Sequence, residues 1–376
     1  MKNLKCFIPV IMIVLILAGV FAVWMTNSIN FELYNNESIS YVRGKVIAVN
    51  SQEIEPYDEL PGRNIGTQNI TVRLSDKREI TFDNILSTTH SIEVGVGTRV
   101  IVKCDEPEGI TPGYSLYNYD RSIGIILAFV LFIAVICLVG KIKGLYAAIA
   151  LVVSMLIIGG GLVPAVYNGH SVIIATLITC MAIASVTLLL LNGFSAKTGA
   201  AIFSTLIGLG ASAILYAVVA KLISVSGYNL EETETMILIA RATKLKIGEI
   251  LFSSILLASL GAVMDTAMSI ASALFEIAEN KADISKKALY KSGMNIGSDM
   301  IGTMCQTLVL AFTGGSVASI IIMLANGTAL HRFLSSDFLA LEILQALTGS
   351  FAVILTVPIT AYFCSVLHNP KKKSSR

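Results

Sequence analysis

Long runs of apolar residues recur along this chain and limit its fold more than any other feature. A helix needs about 20 mostly apolar residues to cross the hydrocarbon core of a bilayer. Hydrophobic residues make up 55% of the 376 residues, and charged residues only 14%. A soluble domain usually carries about a quarter charged residues. The sequence therefore predicts an α-helical multi-pass membrane protein with eight spans, at about 7–23, 122–139, 145–163, 172–191, 199–222, 250 to at least 263, 300–324 and 341–364.

Basic residues predict the side of the membrane that each connection occupies. With the N-terminus inside, the inner segments carry thirteen Lys and Arg residues and the short outer connections carry five. Inner loops are enriched in basic residues, so both termini are expected in the cytoplasm of a cell membrane. Residues 235–247 are too short to span and unusually basic, so we expect an interfacial or re-entrant segment there.

These assignments divide the chain into four parts. The predicted parts are a membrane anchor at 1–24, an extracytoplasmic domain at 25–120, a seven-helix membrane domain at 121–367 and a basic cytoplasmic tail at 368–376. A cleaved signal peptide is the alternative for the first run. Its apolar stretch is long for a signal peptide, which favours an uncleaved anchor.

Residues 25–120 have the character of a small β domain. Alternating β-branched and polar residues at 41–50, 69–74, 79–83 and 99–103 predict about five short strands. That number suits an OB or SH3-like barrel. The acidic cluster of Glu53, Glu55, Asp58 and Glu59 argues against a nucleic-acid partner. A spacer, or a domain that docks another protein, remains the simpler interpretation.

Asp265 is unusual because it lies in the middle of the sixth apolar run. In a helix, one face would carry a polar stripe formed by Asp265, Ser269, Ser272, Glu276 and Glu279, with Thr266 beside Asp265. A charged residue at the centre of a span costs about 2.5–3.5 kcal/mol on insertion scales. We therefore expect this polar stripe to face the inside of the helix bundle.

A second polar stripe lies at the start of the next predicted helix. It is formed by Asn295, Asp299, Thr303 and Gln306, with Thr307 beside it. The sixth helix would run inward and the seventh outward, which places Asp265 and Asp299 at similar depth. The sequence predicts that the two stripes face each other across a polar cleft.

The side chains of these stripes are ligands for a hard cation. Carboxylate, hydroxyl and amide oxygens suit Na⁺, Mg²⁺, Ca²⁺ or a proton relay, and no other cofactor is indicated. No nucleophile has a base nearby in sequence, so an enzyme is not predicted. As alternatives, Asp299 could cap a helix N-terminus, or the two acids could pair with Lys286, Lys287 or Lys291 at the membrane surface.

The same two stripes resemble a known family. The segments GAVMDTAMSIASALFEI and SGMNIGSDMIGTMCQTLVLAF are similar to those of the YibE/F family of bacterial multi-pass membrane proteins. The β domain carries further similar segments, including GTQNITVR and VGTRVIV. The family motif has an arginine where Ser298 stands and Thr-Asn where Cys305 and Gln306 stand. A fixed positive partner for Asp299 is therefore not expected here.

These observations lead to two hypotheses of different classes. The first is a permease or channel-like transporter of a small solute or ion, with Asp265 and Asp299 binding a cation or proton. The second is a membrane scaffold that does not transport and docks an extracytoplasmic partner through residues 25–120. The expected partners are the lipid bilayer, the unknown solute, and a second copy or another membrane protein.

Overall fold

The structure is a computed structural model that describes residues 38–229, 233–281 and 283–368. The first predicted span and nearly all of the basic tail lie outside these residues. The chain divides into two compact units, one at Glu32–Val135 and one that includes Ile136–Arg376. The first unit contains all the described strands, and the second is helical.

Five antiparallel strands form one sheet in the first unit. They are β1 (Ile39–Pro56), β2 (Asn64–Leu74), β3 (Glu79–Leu86), β4 (Arg99–Asp105) and β5 (Gly113–Tyr119). The sheet order is β3-β2-β1-β4-β5. Along β3 exposed and buried residues alternate strictly, as the two-residue period of a strand requires. The buried residues of the sheet form a core that includes Val46, Ile70, Val72, Phe82, Val100 and Val102.

The sheet forms a half-barrel. β1 has register irregularities between Val46 and Ala48 and between Val49 and Ser51. Bulges of this kind bend a strand and increase its twist. Among the described strands, no hydrogen-bonded ladder joins β3 to β5. The predicted five-stranded β domain is thus confirmed as an antiparallel half-barrel, which is a coarser result than a closed OB or SH3-like barrel.

Ten α-helices follow in the described part of the chain. They are α1 (Ser122–Ile157), α2 (Val163–Tyr167), α3 (Val172–Asn192), α4 (Ala196–Leu222), α5 (Thr233–Ala242), α6 (Ile250–Asn280), α7 (Lys286–Gly315), α8 (Val317–Ala325), α9 (Leu330–Leu334) and α10 (Asp337–Leu367). Ser195, Ser285 and Ser336 cap α4, α7 and α10 by accepting a backbone N–H hydrogen bond. Such caps satisfy one of the free N–H groups at each helix start.

Helix α1 bends sharply at Lys141. That residue has φ 50° and ψ −128°, which is not helical. A Cβ added to Gly144 would collide with the carbonyl oxygen of Ile136. Residues eight apart in a straight helix are separated by about 12 Å along the axis, so the chain folds back here. The bend falls between the second and third predicted spans, at 122–139 and 145–163.

In the described part of the chain, five helical stretches are long and apolar enough to cross a membrane. They are Ser122–Tyr167, Val172–Asn192, Ala196–Leu222, Ile247–Asn280 and Asp337–Leu367. Helices α7 and α8 give a sixth if they are taken together, although they meet at 53°. The seventh predicted span, at 300–324, is therefore not one straight helix. Residues 235–247 overlap the short helix α5 (Thr233–Ala242), whose place in the membrane stays a prediction.

Helices α6 and α10 lie at the centre of the helical unit. α10 packs against α4, α6 and α7, and α6 also packs against α3 and α4. Glycines bring some of these helices close together, because they have no side chain at the contact. Gly208 of α4 lies against Thr356 of α10, and Gly297 of α7 lies against Val357. This packing decides which faces of α6 and α7 remain free.

Candidate functional site

The polar stripe of α6 lies on the side of the helix that points away from its neighbours. Asp265, Ser269 and Glu276 are exposed, whereas Val263 and Ile270 are fully buried. The buried side chains recur every three or four residues and form the face that contacts α3, α4 and α10. With that face occupied, the polar side chains are left on the opposite side.

The polar stripe of α7 is placed in the same way. Gly293, Gly297 and Leu308 form its buried face. The exposed positions include the four predicted residues, Asn295, Asp299, Thr303 and Gln306. The prediction that these stripes face the interior of the helix bundle is therefore wrong. In the described residues of this single chain, both stripes face outward. The apolar and glycine faces of the helices take the interior instead.

Asp299 is not a helix cap. Helix α7 begins at Lys286, and Ser285 is its N-cap. Asp299 is therefore more than three turns inside the helix. Among the described residues, neither Asp265 nor Asp299 forms an ion pair within 4.0 Å. Both of the simpler roles for Asp299, as a cap and as the partner of a surface lysine, are thus contradicted.

Two contacts fix the register between the antiparallel helices α6 and α7. A Cβ added to Gly293 would lie 2.8 Å from Leu274 Cδ1. A Cβ added to Gly349 of α10 would lie 2.8 Å from Ser259 Oγ and 3.4 Å from Leu308 Cδ1. Counting from either contact places Asp265 at the height of Gly302.

This register puts the two carboxylates at nearly the same depth. Asp299 is three residues from Gly302, which corresponds to about 4.5 Å along the helix axis. Asp265 is also one residue from the height of Thr303, and Asp299 is one residue from the height of Ser269. Each acid of one stripe therefore has a hydroxyl of the other stripe at its own level.

The hydroxyl groups near the acids keep acceptor oxygens available. Thr303 Oγ1 donates to the carbonyl oxygen of Met300 at 3.0 Å, and Thr307 Oγ1 donates to that of Thr303 at 2.8 Å. Their lone pairs remain free to accept a hydrogen bond or to contact a cation. Thr266 differs because it is fully buried and donates to the carbonyl oxygen of Ala262. It is not on the exposed stripe.

The oxygen-rich composition of the stripes favours hard ions over soft ones. Within the described residues, no group of three or more His, Cys, Asp or Glu side chains could hold a metal ion together.

A buried hydroxyl-rich contact between α4 and α10 was not foreseen from the sequence. Ser204 and Thr205 on α4, and Thr348 on α10, are almost completely buried, and their hydroxyl oxygens have no hydrogen-bond partner among the described residues. The signal was a four-residue spacing of small residues, at Ala200, Ser204, Gly208 and Ser212 and at Thr348, Ala352, Thr356 and Thr360. Such spacing is typical of closely packed membrane helices.

A protein-family model matches most of the helical part of the chain. A family model described as "YibE/F-like protein" matches residues 128–370, which include every described helix except the first turns of α1. Comparisons with curated proteins and with solved structures found no match.

Proposed function

Since this chain belongs to the YibE/F-like family, and since its apolar helices fit a membrane protein, we propose that it is a transporter or permease of a small solute or ion. Acidic and polar residues of α6 and α7 carry the site. The observation that supports this proposal is the placement of two acids, without an ion-pair partner among the described residues, at nearly the same depth on neighbouring antiparallel helices. Polar residues are expensive inside a bilayer, so their presence is usually functional.

The charge of the stripes favours a cation as the transported or coupling species. In the middle of these helices, at residues 250–275 of α6 and 292–315 of α7, the ionised side chains are Asp265 and Asp299. The pair Glu276 and Lys291 lies at one level beyond them. Negative side chains in a low-dielectric setting concentrate cations and exclude anions. In this proposal Asp265 and Asp299 bind the ion, and Ser269, Asn295, Thr303 and Gln306 supply neutral oxygens along its path.

Cation flux through the purified protein in liposomes tests this proposal. Gradients of H⁺, Na⁺, K⁺ or Mg²⁺ are imposed, and flux is followed with an ion-sensitive dye trapped inside. Asp265→Asn keeps the size of the side chain and removes its charge, so we expect at least a tenfold loss of flux, or about 1.4 kcal/mol in the barrier. Glu279→Gln, an exposed acid near the end of α6, serves as the matched control.

Two results would contradict the proposed cation path. One is full flux in Asp265→Asn with normal insertion. The other is wild-type protein that moves none of the four cations. Either result would leave the polar residues without the role assigned to them here.

The β unit offers a second candidate function, the docking of another protein. Tyr41 and Tyr117 form an exposed edge-to-face pair with ring centroids 4.8 Å apart, and Ile85 is 68% exposed. Exposed aromatic residues are common in protein interfaces. If docking is the main function, the double variant Tyr41→Ala/Tyr117→Ala should fail to restore the wild-type behaviour of a deletion strain. Asp265→Asn should restore it fully. The reverse outcome would favour transport.

A further inference from the structure

The outward face of α6, and that of α7 as far as Thr307, differ from the lipid-facing surfaces of this protein. Helices α1, α3 and α4 expose large apolar side chains, as at Ile126, Ile174 and Ile214. No large apolar side chain of α6 is exposed. The exposed positions on α6 include Ser254, Ala258, Gly261, Asp265, Ser269 and Glu276. Those on the adjoining part of α7 are Asn295, Ser298, Asp299, Gly302, Thr303, Gln306 and Thr307.

We call these two outward faces together the polar face. Lipid cannot cover the polar face. A hydrocarbon chain offers no hydrogen bond to a carboxylate, an amide or a hydroxyl group. The acids in particular would face a cost of several kcal/mol if they contacted lipid directly. In the membrane the polar face must therefore meet protein, water or both.

We propose that the polar face of one copy is closed by the polar face of a second copy, so that the ion path lies between two copies of this chain. This inference rests on the proposed function for the identity of the path. It adds that the site is incomplete in a single copy. Most homo-oligomers are symmetric dimers whose contact surface is the same patch on both subunits.

The register between the helices makes the polar face complementary to itself. A two-fold axis along the membrane normal keeps every residue at its own depth. If α6 of one copy lies opposite α7 of the other, Asp265 meets the second copy near Gly302 and Thr303. In the same arrangement Asp299 meets the second copy near Ser269. Carboxylates thus lie opposite hydroxyl groups at both levels and do not lie directly opposite each other.

The surface also leaves room for a second helix to approach. A Cβ added to Gly261 or Gly302 would meet nothing within 4 Å. Small residues on a helix surface permit close contact between helices in a membrane. Four aspartates of two copies would then surround one space and give it a negative potential that attracts cations.

The first apolar run of the chain is a less suitable cover. Its residues 7–23, FIPVIMIVLILAGVFAV, include no side chain that can donate a hydrogen bond to a carboxylate. If that segment alone lay on the polar face, both acids would be left without a partner. Burying unpaired polar groups is costly. A second copy supplies donors instead: the hydroxyl of Ser269 lies near the level of Asp299, and the amide of Gln306 lies about one helical turn from Asp265.

Photo-crosslinking in the membrane tests the arrangement. A photo-reactive amino acid is placed at Ala258 or Ser298 in the full chain, which is expressed with two different affinity tags in one cell. We expect crosslinked products that carry both tags, with the attachment sites on α6 or α7 of the other copy. The same amino acid at Ile126 on α1, an exposed apolar position, serves as the matched control and should yield far less product.

Two crosslinking results would overturn the second copy as the cover. One is attachment within the same chain to residues 7–23. The other is no protein product at Ala258 and Ser298. The flux assay separates this failure from failure of the transport proposal. Flux without two-tag products would contradict only the shared path. Two-tag products without flux would contradict only the transport function.

Mixed liposomes provide a second readout. When wild-type protein and Asp265→Asn are mixed equally and allowed to exchange subunits, about a quarter of dimers contain two wild-type copies. If the path is shared and needs Asp265 of both copies, flux should fall to about a quarter of the wild-type rate. Flux near half would show that each copy works alone.

Discussion

Replacing Gln68 by Leu should loosen the loop that closes the β half-barrel. Gln68 is buried, with 1% of its surface exposed. Its Oε1 accepts a hydrogen bond from the backbone N–H of Val94 at 3.0 Å, and its Nε2 donates to the carbonyl oxygen of Val94 at 3.0 Å. Leucine fills a similar volume but leaves both backbone groups of the buried Val94 unpaired.

The size of the effect follows from those two backbone groups. Each buried group left without a partner costs about 1–3 kcal/mol, so the variant should lose roughly 2–6 kcal/mol of local stability. Asn84 cannot replace the lost contacts, because its Nδ2 already donates to the carbonyl oxygen of Ile92 at 2.8 Å. We therefore expect the loop around Val94 to open far more often than in the wild type.

Hydrogen exchange of the full-length protein in detergent measures this directly. The amide of Val94 should exchange at least tenfold faster in Gln68→Leu, since each 1.4 kcal/mol of lost protection is a factor of ten. Gln52→Leu is the matched control, because Gln52 is exposed on β1 and contacts Gln68 only at 3.4 Å. Unchanged protection of Val94 in Gln68→Leu would refute the argument that this side chain holds the loop.

Three further outcomes are expected. Gly208→Val should lower the melting temperature in detergent, because overpacking costs about 1–3 kcal/mol. Gly210→Val is the control and should not lower it, because an added Cβ there meets nothing within 4 Å. Equal shifts in the two variants would contradict the close packing of α4 and α10. The hydrogen bond from Arg78, followed by that from Tyr114, holds the pKa of Glu106 below its ordinary value of 4.5. That stabilisation is complete above the unfolded pKa and is lost as the pH falls through the folded pKa, so Arg78→Gln should make urea unfolding of the β unit less sensitive to acid; an unchanged pH dependence would count against it. Burial raises the pKa of the Cys104 thiol, so maleimide should label Cys104 only after unfolding, and fast labelling of the native protein would contradict its burial.

The sequence predicted the elements better than their arrangement. The apolar runs of α3, α4, α6 and α10 are too long to be strands, so they predict helices. In β3, apolar and polar residues alternate almost without exception, which predicts a strand. The seventh predicted span failed because hydropathy averages over residues and does not register the break at Ser316, where α7 ends and α8 begins. A bend changes the direction of a helix without changing its composition.

The residues of the candidate site stay a prediction, and the structure corrects the orientation that was expected for them. Spacing alone put Asp265 and Ser269 on one face, because the helical period is fixed at 3.6 residues per turn. Spacing could not say what the opposite face contacts. The expectation of an inward stripe assumed that one copy must satisfy its own polar groups, and the packing of α10 against α6 and α7 shows that the described bundle does not.

The sequence by itself thus determined the class of protein, the family and the two polar stripes, because composition, motif and helical period are local properties of a chain. The tertiary structure decided which face of each helix is free of contacts with other helices. It did so through contacts between residues far apart in sequence, such as Gly293 with Leu274 and Gly349 with Ser259 and Leu308. Those contacts set the register that brings Asp265 and Asp299 to nearly the same depth. Register between helices depends on shape at the contact, which no single stretch of sequence contains.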